Sequence, residues 1–148
     1  MRISAKGRYA LAACIYLAEQ YSKEELTTVI SISDKLDISK IYLEQVFSLL
    51  KRGHLVTSIK GSHGGYKLTR EPDQISSYEI LASIETAIFE EAKETVSEKA
   101  KEIEIAMQDL VFKALDQDIK KSLKAVTLKQ LYEESLKNRK DEGYMFYI

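Results

Sequence analysis

Residues 39–70 read SKIYLEQVFSLLKRGHLVTSIKGSHGGYKLTR, and this stretch decides the fold. Leu43, Val46, Phe47 and Leu50 recur at i, i+3, i+4 and i+7, the spacing of a helix that rests one apolar stripe on a core. Ile41, Glu44, Gln45, Ser48 and Arg52 then fall on the outward face. Ser39 is placed to cap the helix. Gly53, after the cationic pair Lys51-Arg52, is placed to stop it. Beyond it Leu55, Thr57 and Ile59 alternate with Val56, Ser58 and Lys60. After Gly61-Ser62-His63-Gly64-Gly65, Tyr66 and Leu68 alternate again, which predicts a hairpin with a five-residue loop. A short helix with polar side chains outward, followed by a basic hairpin, is how a winged helix meets DNA. The helix fits the major groove while the wing tip lies along or in the minor groove.

Working back from this stretch, Thr27 or Thr28 opens a second helix with Val29, Ile32, Ser33 and Leu36 inward. A turn through Asp37 and Ile38 makes residues 28–52 a helix-turn-helix. Residues 23–26 read as a loop. Before them Ser4 can cap a first helix to about Tyr21, with Leu11, Cys14, Ile15 and Ala18 as its buried stripe. On that stripe Cys14 reads as a small core residue rather than a sensor thiol. Arg2, Lys6 and Arg8 crowd the start of this helix, where cations oppose the macrodipole. Phosphate contact would supply a reason for them; three solvated charges are the alternative.

Working forward, Glu71-Pro72-Asp73 is a turn, and Ser76-Ser77-Tyr78-Glu79 is a capping box before a fourth helix that buries Ile80, Leu81 and Ile84. Residues 90–104 are rich in Glu and Lys. Two apolar rows follow, Ile103, Met107, Leu110 and Ala114, then Val111, Leu115, Ile119 and Leu123. They predict a helix of about 25 residues with more apolar surface than one small domain covers. Dimerisation is the natural outlet, with packing inside the monomer as the alternative. Thr127-Leu128-Lys129-Gln130 is a second capping box, opening a last short helix to about Asn138. Residues 138–143 are polar and turn-like. The expected organisation is a winged-helix domain over 1–86, dimerisation helices over 87–137 and a tail over 138–148. The fold class is mainly α with a small β wing.

Composition sets the outer limits. The 148 residues are 45% apolar, enough for one domain with a real core. No run of 18 apolar residues and no signal-peptide core is present, so the expectation is a cytoplasmic protein with no membrane association. A single cysteine excludes an internal disulfide and fits a reducing compartment. The net charge of −1 conceals a division: residues 1–70 carry 11 Lys and Arg against 6 Asp and Glu, and residues 71–148 carry 11 against 17. Only the first half, at +5, suits a phosphate backbone.

By chemistry, Glu44 can accept a hydrogen bond from a cytosine amino group and Gln45 can read adenine bidentately. Ser39, Lys40, Tyr42, Lys51 and Arg52 suit phosphate contact. Glu44 has a plainer reading as a surface carboxylate paired with Lys40 or Lys51. At the wing, Gly64 and Gly65 permit close approach to the DNA backbone, Tyr66 joins the same surface, Lys60 offers positive charge, and His63 reads either as a pH-dependent phosphate contact or as a solvated loop residue. Ile41 could meet thymine methyl groups or pack on the second helix. No Ser/His/acid constellation is present, and GSHGGY lacks the lysine of a phosphate loop, so catalysis is not expected.

YLEQ at 42–45, LLKRGHLV, KGSHGGYKLT and the opening MRISAKGRYAL together resemble the conserved blocks of the Rrf-type winged-helix regulators, through about residue 85. The resemblance implies backbone contact by the start of the first helix, pairing through the long helix, and an arginine entering the minor groove where Lys60 stands here. Lysine keeps that charge without the planar fork. Iron–sulfur members carry three closely spaced cysteines before the long helix, whereas residues 87–105 hold none, so no cofactor is expected.

The chain ends Tyr144-Met145-Phe146-Tyr147-Ile148, five apolar or aromatic residues that are costly in water unless covered. One reading folds them back onto their own dimer. The other makes them a motif captured by another protein. YMFYI resembles the ending of the family's cysteine-metabolism repressors. Serine acetyltransferases likewise end in an isoleucine that docks in the active site of cysteine synthase (O-acetylserine thiol-lyase). The expectation is therefore a homodimeric repressor of cysteine and sulfur genes on a palindromic double-stranded operator, with cysteine synthase as a partner of Tyr144, Met145, Phe146, Tyr147 and Ile148. Its dimer contacts would be Ile103, Met107, Leu110, Val111, Leu115 and Ile119. The alternatives are a family member answering to another small ligand, and a protein-interaction module that regulates an enzyme through its tail.

Overall fold

A computed structural model describes residues 2–96 and 98–146, with side chains up to Lys140. Tyr147 and Ile148, and the side chains of Tyr144, Met145 and Phe146, fall outside the described parts, so the expected tail motif lies there.

The first helix, α1 (Ala5–Tyr21), is the centre of the molecule, packing against four other helices and the wing. Its Ser4 cap accepts the Gly7 N–H at 3.1 Å. The stripe it buries is turned from the expected one. Ala10, Ala13, Cys14, Leu17 and Ala18 are buried, while Leu11 and Ile15 are only half covered. Small residues let helices approach a central helix from several sides at once, and bulkier ones fit only at the flanks.

Helix α2 (Val29–Leu36) begins at Thr28, whose hydroxyl accepts the Ser31 N–H at 3.1 Å. Of its expected inward residues only Ile32 is fully buried; Val29, Ser33 and Leu36 are half covered. Asp37, left-handed at φ 53°, ends it, and buried Ile38 leads into α3 (Lys40–Arg52). Ser39 caps α3 as expected, accepting from Tyr42 N at 3.3 Å. Leu43, Val46, Phe47 and Leu50 are all fully buried. The stop differs in detail. The left-handed residue is His54 at φ 59°, whereas Gly53 sits at φ −77°. A Cβ on Gly53 would lie 2.9 Å from Ser83 Cβ, so its smallness serves helix packing.

Strands β1 (Val56–Ile59) and β2 (Gly65–Leu68) pair antiparallel from Val56 opposite Leu68 to Ile59 opposite Gly65, leaving a five-residue loop at 60–64. Lys60 is thus the first loop residue. A bridge from a further segment onto β2 was not legible in the sequence. Thr27 exchanges backbone hydrogen bonds with Tyr66 at 2.9 and 2.8 Å, tying the wing to the start of α2.

The capping box of α4 (Ser77–Ile84) is complete: Glu79 N donates to Ser76 Oγ at 3.2 Å and Ser76 N to Glu79 Oε2 at 2.9 Å. Ile80 and Leu81 are buried and Ile84 half so. After α5 (Thr86–Phe89), helices α6 (Lys101–Met107) and α7 (Lys113–Lys124) join through a π-helical turn, Gln108–Phe112. The long helix is real, and the extra residue of that turn rotates its apolar rows against one another.

The Thr127 capping box also forms, with Thr127 N on Gln130 Oε1 at 2.9 Å and Gln130 N on Thr127 Oγ1 at 3.1 Å. Helix α8 (Leu128–Phe146) runs past Asn138, where a turn was expected. Residues 137–142, KNRKDE, lack Pro and Gly and are mostly good helix formers. Leu128 is fully buried in the same core as α1, and its N–H donates to Ile75 O at 2.8 Å, so α8 is built into the winged-helix core. A forked ion pair, Arg139 Nη1 and Nη2 on the two Glu19 carboxylate oxygens at 3.1 and 3.3 Å, fastens α8 to α1. That hydrogen-bonded guanidinium holds the Glu19 carboxyl below its usual range. No helix among the described residues is long and apolar enough to cross a membrane.

Candidate nucleic-acid interface

With its apolar stripe buried, α3 turns Lys40, Ile41, Tyr42, Glu44, Gln45, Ser48, Lys51 and Arg52 to solvent. The helix therefore presents the expected polar face. Glu44 does meet Lys40, at 3.8 Å, but both side chains are more than half exposed. Such a pair contributes little and exchanges readily for a base or phosphate contact. Gln45 and Arg52 are exposed. Tyr42 leans on Tyr9 edge to face, with ring centroids 6.1 Å apart, which restrains its ring.

Lys51 has an internal partner. Its ammonium donates to Ser58 Oγ at 2.8 Å, bracing the recognition helix against β1. Tyr66 stacks its ring on Phe47 at 4.3 Å and is half-buried, so it serves the core beneath the wing as much as any surface. The wing glycines likewise have reasons inside the fold. A Cβ on Gly65, at φ 154°, would lie 2.7 Å from Thr27 O and break the Thr27–Tyr66 bridge. A Cβ on Gly64 would lie 2.1 Å from Ile59 O and prevent the loop from closing. Lys60 and His63 are exposed at the tip.

At the start of α1, Arg2, Lys6 and Arg8 are exposed and make no ion pair among the described residues. The Glu85 carboxylate accepts from Ser4 N at 2.8 Å and from Ser4 Oγ, supplying the negative charge that this helix end wants. The three cations are left available.

The long helix carries the expected apolar face. Ile103, Leu110, Val111 and Leu115 are 52%, 79%, 52% and 55% exposed, and Met107 and Ile119 are partly covered. One residue here escaped sequence reasoning. Glu104 is buried and accepts from Thr95 N, Val96 N and Gln108 Nε2 at 3.2, 3.0 and 2.9 Å, pinning the preceding loop to α6. The Gln108 hydrogen bond, with those backbone donors, lowers its pKa. One Glu among the many of residues 90–104 carried no signal of a partner nine residues upstream.

The sequence profile of the Rrf2 family, described as iron-dependent transcriptional regulators, matches residues 3–134. The chain is 38% identical over 149 positions to the HTH-type transcriptional regulator CymR of Bacillus subtilis, spanning 100% of both proteins. The solved structure of CymR (YrzC), the global cysteine regulator of B. subtilis, matches with a TM-score of 0.72 at 34% identity, covering 90% of this chain and 98% of that one. The T. potens IscR structure matches with a TM-score of 0.71 at 28% identity, covering 99% and 97%. The family description implies iron, and the donors present do not fit an iron–sulfur centre. Cys14 is the one cysteine of the sequence, it is fully buried, and burial pushes its thiol up to about 12. Among the described residues no three His, Cys, Asp or Glu side chains converge on a metal-sized space. A winged helix with an open polar recognition face, matched along its whole length by HTH-type regulators, is a DNA-binding transcriptional regulator and not an enzyme, and the chain belongs to the Rrf2 family.

Proposed function

We propose that this protein is a homodimeric repressor of cysteine and sulfur metabolism genes that works without an iron–sulfur cluster. The observation that carries the reading is the end-to-end similarity to B. subtilis CymR, whose structure is described as that of a global cysteine regulator. The exposed apolar face of the long helix supports pairing of two copies. Such pairing would set two recognition helices against a palindromic operator, one helical turn apart or a multiple of that. In this arrangement residues 1–86, with α8 packed into their core, bind DNA, the long helix within residues 87–137 pairs, and the end of the chain beyond Arg139 forms the tail.

Base reading is assigned to Glu44 and Gln45, and backbone contact to Arg2, Lys6, Arg8, Lys40, Arg52 and Lys60. Fluorescence anisotropy against a selected operator and random duplex tests this. Glu44→Ala is expected to cost about 1–3 kcal/mol of discrimination at one base pair per half-site. Lys60→Ala is expected to weaken binding to both duplexes alike and to reduce the salt slope by about 1. Equal losses on both duplexes for both variants would remove Glu44 from base readout.

The tail, Tyr144 to Ile148, is assigned to docking on cysteine synthase, with O-acetylserine competing for the pocket. Deleting these five residues is expected to leave operator affinity unchanged and to abolish association with purified cysteine synthase. A deletion that instead splits the dimer would give the tail to the protein's own fold.

A further inference from the structure

One side chain on the recognition face is not accounted for by packing. Ile41, the second residue of α3, is 70% exposed. Its neighbours are explained: Leu43 is fully buried, and Tyr42 rests its ring against Tyr9. Seating against α2 would not leave Ile41 so open. Three and four residues on, Glu44 and Gln45 share its face of the helix. An aliphatic group held in water gains nothing in the free protein.

It gains on DNA. The major groove displays hydrogen-bonding groups at every base pair and a single aliphatic one, the 5-methyl of thymine. Side chains near the N-terminus of a recognition helix are the ones that reach base edges. Isoleucine is branched at Cβ and stiff at χ1, so it offers a fixed apolar surface there rather than a flexible one. We propose that Ile41 is a specificity-determining residue that reads a thymine methyl, at a base pair beside those read by Glu44 and Gln45. This rests on the assignment of α3 to base readout.

The test begins with the full-length protein and a pool of random duplexes, from which the preferred operator is selected. Each thymine in it is then replaced singly by deoxyuridine, which differs only by lacking the methyl. For the wild-type protein, one thymine in each half-site is expected to be sensitive, losing about fourfold in affinity when replaced and about 15-fold when both are. Ile41→Ala, a change at an exposed position, is expected to bind thymine and deoxyuridine equally there. Wild-type indifference to deoxyuridine at every position overturns the proposal. So does an equal loss in wild type and Ile41→Ala, which would trace the effect to the duplex itself. A pool that yields no preferred sequence overturns the base-readout assignment of α3 as a whole, and Ile41 with it.

Discussion

Phe47→Ala is expected to cost about 3–5 kcal/mol of folding stability, the range for emptying a fully buried aromatic site. Phe47 is 0% exposed and carries Tyr66 on its ring at 4.3 Å. The vacancy would therefore open between the recognition helix and the wing, the two elements that must hold a fixed relation on DNA. Against a typical stability of about 5–15 kcal/mol, the loss is about a fifth of the total or more. Urea denaturation followed by circular dichroism reads it directly. Phe47→Leu, which refills most of the space, should recover the larger part. A loss below about 1 kcal/mol for the alanine variant would mean that Tyr66 and the core collapse into the gap.

Leu115→Glu is expected to convert the proposed dimer to a folded monomer. The side chain is 55% exposed within the protomer, so a carboxylate there costs the fold little. In the pairing face it would be buried against a second copy of itself without a partner. Light scattering after size exclusion checks the mass, and circular dichroism checks that the helices persist. Operator affinity should fall by on the order of 10²–10⁴-fold, because binding to the second half-site is then no longer intramolecular. A Leu115→Glu protein that stays dimeric at full affinity would remove this helix from the interface.

These two residues also mark how far the sequence could be read. Phe47 was placed by periodicity alone, because a stripe at i, i+3, i+4 and i+7 has one way to face a core. The capping boxes at Ser76 and Thr127 were legible for a similar reason: each is closed by residues three apart. What was missed joins segments distant in sequence. The Thr27 bridge is made by backbone groups, which every residue has. Its only trace is Gly65, which local reasoning gave to DNA. Lys51 looked like a free cation until Ser58 came to it. The turned stripe of α1 shows that bulk is a poor guide when several elements crowd one helix, since alanines took the centre. The run of α8 through residues 138–146 was hidden because polar residues read as a turn when their helical partner, Glu19 for Arg139, lies far up the chain.

Cys14 has a further use. It is the one thiol of the sequence, fully buried on the central helix, with burial raising it to about 12. At neutral pH it stays the protonated thiol, the unreactive form. An electrophile or oxidant in the surrounding water meets this sulfur only when α1 lifts out of its neighbours. The rate at which iodoacetamide consumes it, compared with an unfolded peptide, therefore counts those openings, much as a slow-exchanging amide does. The same shielding makes the thiol a poor trigger, because any oxidant that reaches it has already found the domain open.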